Sequence, residues 1–163
     1  MRKILLFSDT HHYIDDTMID EAKKHDEIWH AGDWGNIELY DQLSECGPVK
    51  GVYGNIDGGD IRTVCPKHLH FTCEGLSVYM THIAGYPNRY KKEALEHILE
   101  YRPQMVVCGH SHILKVMYDD KLEHLHLNPG AMGKSGFHKM RTMLSFVIDQ
   151  GKPAHMKVLE YTK

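Results

Sequence analysis

Short apolar runs punctuate the front of the chain. Residues 4–7, 27–31 and 49–53 each read as a strand, and each is followed at once by glycine or a polar residue. The four-residue run at 4–7 suits a strand buried on both faces. Between these runs the period lengthens. A helix capped by Asp15 or Asp16 continues to about Lys24, with Met18, Ile19 and Ala22 as its inner face. A shorter helix over 37–44 is stopped by Gly47 and Pro48. Strands alternating with helices predict a parallel sheet with right-handed crossovers. After Gly58 and Gly59 the texture changes, and 68–73 and 76–81 read as antiparallel strands that turn near Gly75. A helix over 89–101 places Ala94, Leu95, Ile98 and Leu99 on one stripe, and Pro103 ends it. Residues 105–108 are again continuously apolar, and 114–118, 124–127, 143–148 and 155–161 are extended. An α/β front half and a β-rich remainder predict two packed sheets flanked by helices. The 163 residues fit one domain, 1–163, without linker or repeat.

Composition narrows the function classes. A net charge of −3 and no Lys/Arg run beyond two residues exclude a basic nucleic-acid face, so nucleic acid enters only as a substrate. The apolar stretch after Arg2 and Lys3 is four residues, too short for a signal peptide, and no run approaches a membrane span. The four cysteines show no metal-binding spacing, and a domain of this size folds without disulfides. Together these point to a cytoplasmic protein with reduced thiols, in which Cys108 is a small buried hydrophobe.

Histidine is abundant, 14 in 163 positions, and three His-x-His pairs occur. About one would arise by chance in a random order. His68/His70 and His124/His126 sit in alternating stretches, which places them on the polar face of a strand. His110/His112 instead follows the apolar run at 105–108, and strand ends are where open α/β sheets place their sites. Collecting the polar residues just past the predicted strand ends gives Asp9 and His11, Asp33, Asn55, His82, and His110 and His112. Each alone has a plainer reading: Asp33 as a turn residue, Asn55 as a residue tolerant of left-handed backbone, His82 as a surface histidine. Five strand ends that all carry carboxylate, imidazole or carboxamide converge on one chemistry.

The motifs Asp9-Thr10-His11, Gly32-Asp33, Gly54-Asn55-Ile56-Asp57, Thr81-His82 and Gly109-His110-Ser111-His112 resemble the calcineurin-like metallophosphoesterases. Their order is most similar to the small single-domain YfcE-like phosphodiesterases, whose relatives include the retromer scaffold subunit. Asn128-Pro129-Gly130-Ala131 matches a further stretch of that family. The resemblance implies an αββα sandwich of two mixed sheets with a dinuclear site at the strand C-terminal ends. It implies that Asp9, His11, Asp33 and His112 hold one divalent cation, and Asp33, Asn55, His82 and His110 the other, with Asp33 bridging. Asp33, Asn55 and His110 would be catalytic. The implied reaction is hydrolysis of a phosphate ester, foremost a diester, by in-line attack of a hydroxide shared by the metals. The runner-up is a non-catalytic metal-binding scaffold for other proteins.

Nitrogen and oxygen donors without thiolate admit manganese first, and iron, zinc, cobalt or nickel. The implied partner is a small phosphate-ester substrate, with no membrane, and a homo-oligomer is compatible with the chain. Two positions depart from the family pattern. Ile56 stands where many relatives have a histidine that assists phosphate binding or protonates the leaving group, and His12 stands where small relatives often have glycine. Asp57 either orients a ligand or caps a turn, and Arg89 and Tyr90 lie near the His82 loop.

Overall fold

A computed structural model describes residues 1–163. Strand β1 (Arg2–Phe7), helix α1 (Asp16–Ala22), β2 (Glu27–His30), α2 (Ile37–Cys46), β3 (Val49–Gly51) and α3 (Gly59–Val64) make up the alternating front. The three strands are parallel, as the alternation required. Next come the hairpin β4 (His68–Cys73) and β5 (Leu76–Thr81), a small hairpin β6 (Gly85–Tyr86) and β7 (Arg89–Tyr90), and α4 (Lys92–Tyr101). The chain ends with β8 (Met105–Val107), β9 (Leu114–Asp119), β10 (His124–Pro129), β11 (Met140–Asp149) and β12 (Lys152–Thr162). Two five-stranded sheets result, ordered β12-β11-β1-β2-β3 and β4-β5-β8-β10-β9, each with parallel and antiparallel neighbours.

Period-two alternation builds the layers. Ile4 and Leu6 of β1 face the second sheet and pack with Trp29, Val78, Met80, Met105, Val107, Leu127 and Phe146. Leu5 and Phe7 point the other way and are covered by Met18, Ala22, Leu39, Leu43 and Ile61 of the three front helices. The outer face of the second sheet is covered by α4, whose Ala94 and Ile98 pack on Tyr79, Val106 and Cys108. The layering is therefore α-β-β-α, and the C-terminal ends of β1, β2, β3, β5 and β8 carry the polar loops. Burial lifts the Cys108 thiol to about 12, as suits a small apolar residue.

Three details differ from the sequence expectation. The helix expected from Arg89 starts at Lys92, because Pro87 and Asn88, the latter with φ 70°, turn Arg89 and Tyr90 back as a strand against Gly85 and Tyr86. The Gly58–Gly59 break holds the short helix α3, which supplies Ile61 to the front core. His124 and His126 lie on a face that is not open to water: both are fully buried, and Tyr90 Oη lies 2.7 Å from His124 Nε2 and 2.8 Å from His126 Nδ1. His68 and His70 are half-buried in a stack with Tyr79, His97 and Tyr101.

Burial, with His124 and Lys115 nearby, pushes His126 down to about 4. The unfolded chain therefore takes up a proton there before the folded one does. The sign follows: stability is full above about pH 6.5 and falls as pH drops toward 4, by on the order of 3 kcal/mol for this residue. Urea unfolding of metal-free protein should show that decline, and His126→Asn should show a shallower one even though its cavity lowers stability at pH 7.5. An equal pH slope in both proteins would remove His126 from the account.

Candidate metal centre

The loop after β1 carries Ser8, Asp9, Thr10 and His11 and is pinned to the loop after β2 by backbone bonds from Asp9 N to Gly32 O (2.9 Å) and His11 N to Asp33 O (3.1 Å). A bond from Gly109 N to His82 O (3.0 Å) joins the loops after β5 and β8 in the second sheet. The two sheets meet at one carboxylate: Asp9 Oδ2 accepts from the His110 N–H at 3.0 Å and from Ser8 Oγ at 2.6 Å.

Backbone conformation at these loops is unusual. Asp9, His11, Asp33, His110 and His112 all have φ between 45° and 71°, the left-handed region that side-chain-bearing residues avoid. Each such residue costs on the order of 1–3 kcal/mol, so the site holds strain that its surroundings enforce. The glycines of the motifs serve a different need, close approach. A Cβ on Gly54 would run into the Asp33 carboxylate, one on Gly109 into Ser8 and Asp9, and one on Gly32 into the His82 ring.

Two groups of donors converge. Asp9, His11 and His112 form one, and Asp33, His82 and His110 the other; within each, ligand atoms lie within 4.8 Å of one another. Asp33 stands between them, its Oδ2 3.3 Å from His11 Nε2 and 3.2 Å from His82 Nε2. Asp9 Oδ1 lies 3.1 Å from His112 Nε2 and 3.8 Å from both His11 Nε2 and His82 Nε2. These are short separations without hydrogen-bond direction: Asp9 Oδ1, His11 Nε2 and His82 Nε2 are buried and have no hydrogen-bond partner. Buried polar atoms are otherwise nearly always paired. Three orphaned donors aimed into one space are what a resident cation requires, so the residues fit a divalent metal pair.

Asn55 sits at the rim, exposed, its Oδ1 3.1 Å from His110 Nδ1, so the structure brings it to the second group through that imidazole. All seven residues singled out in the sequence thus lie at one place.

The charges reinforce one another. Burial alone would raise Asp9, but His11, His112 and His82 beside it hold its carboxyl well below the usual range. Asp33 is held low in the same way by His11 and His82. Asp33 and then Asp9 lift His11 to about 9, so the metal-free site keeps a proton there at neutral pH, which an incoming cation must displace.

Other residues, unflagged in the sequence, orient the ligands. His82 Nδ1 donates to Ala31 O at 2.6 Å, which aims Nε2 at the site, where a cation would take the place of its proton. His30 is fully buried, stacked on Trp34 at 3.7 Å between ring centroids, and pushed down to about 3 by burial. Its Nδ1 accepts from Gly32 N, so Nε2–H donates to Thr10 Oγ1, which in turn donates to Trp34 O at 2.9 Å. That chain fixes the loops of Asp9 and Asp33. His30 looked in sequence like one more strand residue. Asp57 resolves as a turn clamp: its carboxylate accepts from Gly54 N (2.7 Å), Gly35 N (2.9 Å) and Trp34 N (3.2 Å). Tyr90 points into the outer core, away from the site.

A model of the calcineurin-like phosphoesterase superfamily domain matches residues 2–151. Among solved structures, Vps29 of Entamoeba histolytica in complex with zinc superposes with a TM-score of 0.75 at 15% identity, covering 98% of each chain. A predicted phosphoesterase of Streptococcus pneumoniae gives 0.68 at 21% identity, covering 99% of this chain and 89% of the other. An archaeal phosphodiesterase gives 0.71 at 20% identity, covering 96% and 99%. At these identities the likeness shows the fold. No curated protein sequence matches significantly.

Replacing Asp57 by alanine would strand three backbone N–H groups, two of them on the turns that follow Asp33. The expected loss is on the order of 3 kcal/mol in urea unfolding. It should be accompanied by weaker metal retention on dialysis, and retention equal to wild type would show that the clamp is irrelevant to the site.

Proposed function

We propose a phosphoesterase reading from a plain premise: the chain belongs to the calcineurin-like phosphoesterase superfamily. The observation that carries it is the trio of buried, unpartnered donor atoms, Asp9 Oδ1, His11 Nε2 and His82 Nε2, facing a second carboxylate, Asp33, and two further imidazoles. Asp9, His11 and His112 would hold one divalent cation, His82, His110 and Asn55 the other, and Asp33, central to both groups, would bridge. When bound, such a pair supplies Lewis-acid polarisation of the phosphate and a water of lowered pKa. Donors limited to nitrogen and oxygen make Mn²⁺ the first cation to supply, with Fe, Zn, Co and Ni as alternatives. A scaffold that bound no metal would not require the full donor set to be kept in strained, aimed conformations.

Support for a diester comes from the shape of the mouth. On the Asn55–His82 side a cavity of about 370 Å³ opens, and on the His110–His112 side a second of about 560 Å³ is flanked by Ile113 and Phe137. A phosphodiester has two arms to place and a monoester one. His110 and Asn55, at the rim between the two cavities, are set to contact the phosphate, and their hydrogen bond keeps the carboxamide oriented. The residue that relatives use beside the asparagine is absent: Ile56 gives its backbone N–H to Asp33 Oδ1 at 3.1 Å, and its side chain is 41% exposed and cannot transfer a proton. The site therefore favours leaving groups that depart without protonation. All four cysteines are unpaired, in keeping with a reducing, cytoplasmic setting.

Hydrolysis of bis(p-nitrophenyl) phosphate with Mn²⁺ should fall by on the order of 100-fold or more in Asp33→Ala and His110→Ala. Wild type no faster than both variants with any cation would end the enzyme reading. Ile56→His should raise the rate on alkyl esters relative to aryl esters, and an unchanged ratio would mean that position 56 does not reach the leaving group.

A further inference from the structure

The cavity beside Asn55 and His82 has a wall whose charge the bulk composition conceals. In a chain of net charge −3, it is lined by three cations, Arg62, Lys67 and Lys91, against one carboxylate, Glu93. That carboxylate is already engaged: Lys67 Nζ lies 2.9 Å from Glu93 Oε2 and His68 Nε2 lies 2.8 Å from Oε1. Neither Arg62 nor Lys91 forms an ion pair with any carboxylate. Two uncompensated cations thus share a concave wall with two residues of the second ligand group.

Arg62 is also held in place. Its Nε donates to Asp57 O at 2.8 Å, and its guanidinium lies over the Tyr53 ring, 4.4 Å from the centroid. An arginine fixed at Nε and by stacking keeps its two terminal amino groups for a ligand, in the planar fork that matches phosphate oxygens. Its anchor is the carbonyl of the same Asp57 whose carboxylate clamps the turns after Asp33 and before Asn55. The arginine is therefore in register with the metal ligands rather than on an independent loop. Lys91 lines the same cavity at the start of α4, its backbone fixed by a bond from its N to Ala84 O at 2.9 Å. As a point charge on a flexible stem it can follow a ligand that Arg62 orients.

These cations do not compensate the carboxylates of the metal site, which are faced by imidazoles. A phosphate ester bound at the rim by His110 and Asn55 would extend one arm into this cavity, and only a second anion there would pair with both free cations. We propose that the cavity is a subsite for a second phosphoryl group on the substrate, received by Arg62 and Lys91. The inference rests on the phosphoesterase reading above and narrows its substrate class to esters bearing a phosphate on one arm. Held between two cations in a concave site, such a group gains more than on a flat surface, because solvent screens it less.

The test separates the subsite from the chemistry. Calorimetric titration of Mn²⁺-loaded protein compares propane-1,3-bisphosphonate with propylphosphonate, two non-hydrolysable ligands that share a three-carbon chain and differ in the second anion. Wild type should bind the bisphosphonate at least tenfold more tightly. Arg62→Ala and Lys91→Ala, both substitutions of exposed side chains, should each cut that preference below threefold. Arg62→Lys, which keeps the charge and loses the fork, should fall between. No preference in wild type, or a preference that survives both alanine substitutions, overturns the subsite. A preference that depends on Arg62 and Lys91 in a protein that hydrolyses no ester upholds the subsite and overturns the hydrolase reading; hydrolysis without the preference does the reverse.

Discussion

The structure depends on a buried carboxylate. Asp9 is fully inaccessible, and all four of its polar positions are committed: its N–H to Gly32 O, its carbonyl to Gly133 N, Oδ2 to Ser8 and the His110 N–H, and Oδ1 to the centre of the site. Those bonds join loops that follow β1, β2 and β8 and the loop before β11, drawn from both sheets. A charge so buried costs several kcal/mol unless it is compensated, and no arginine or lysine pairs with it. Compensation comes from imidazoles in the metal-free state, His11 foremost, and from a cation once one binds. The same group therefore closes the sandwich at its functional end and creates a demand for positive charge that a cation among the converging donors would meet.

Strain is distributed around that carboxylate in a consistent way. Five of the seven ligand candidates have left-handed backbone, whereas the glycines between them are needed because neighbouring side chains leave no room for a Cβ. Donor atoms brought to one point from five separate strand ends leave short loops little conformational choice. The unusual dihedrals are held by the Asp57 clamp and by the bonds from His30 through Thr10 to Trp34. Side chains outside the donor set thus fix the ones within it, and the cost of order 1–3 kcal/mol at each strained residue is met by packing elsewhere.

Much of this was legible in the sequence because apolar runs and their ends are local signals. The strand that ends before Gly109-His110-Ser111-His112, and the helix faces of α1 and α4, follow from periodicity alone, except that Leu99, read on the inner stripe of α4, is 46% exposed at the edge of that face. What stayed hidden depends on contacts distant in sequence. The pair His124/His126 alternates like a solvated strand, and nothing local shows that Tyr90, more than thirty residues away, closes over it. His30 resembles any polar residue in a strand until Thr10 and Trp34 are brought against it. Asp57 could have served a ligand or a turn, and only the three N–H groups that reach it decide for the turn. Arg62 lies in a segment read as a glycine-rich break, so neither α3 nor its arginine was visible as part of a site.

The two sides of the mouth differ in kind, and that asymmetry follows from the topology. The loop after β3 and the start of α4 border the Asn55–His82 side, and both carry cations, because α3 begins directly after the Asn55 turn and α4 directly after the hairpin of β6 and β7. The other side is bordered by the loops after β8 and before β11, where Ile113 is 58% exposed and Phe137 wholly so. Apolar side chains at this exposure contribute nothing to the core and cost hydration, which a bound apolar group would relieve. The mouth thus offers charge in one direction and apolar surface in the other. Under the proposed reading the mouth would orient its substrate before any bond is broken, the charged arm toward Arg62 and Lys91 and the apolar arm toward Phe137, with the phosphate between them at His110 and Asn55.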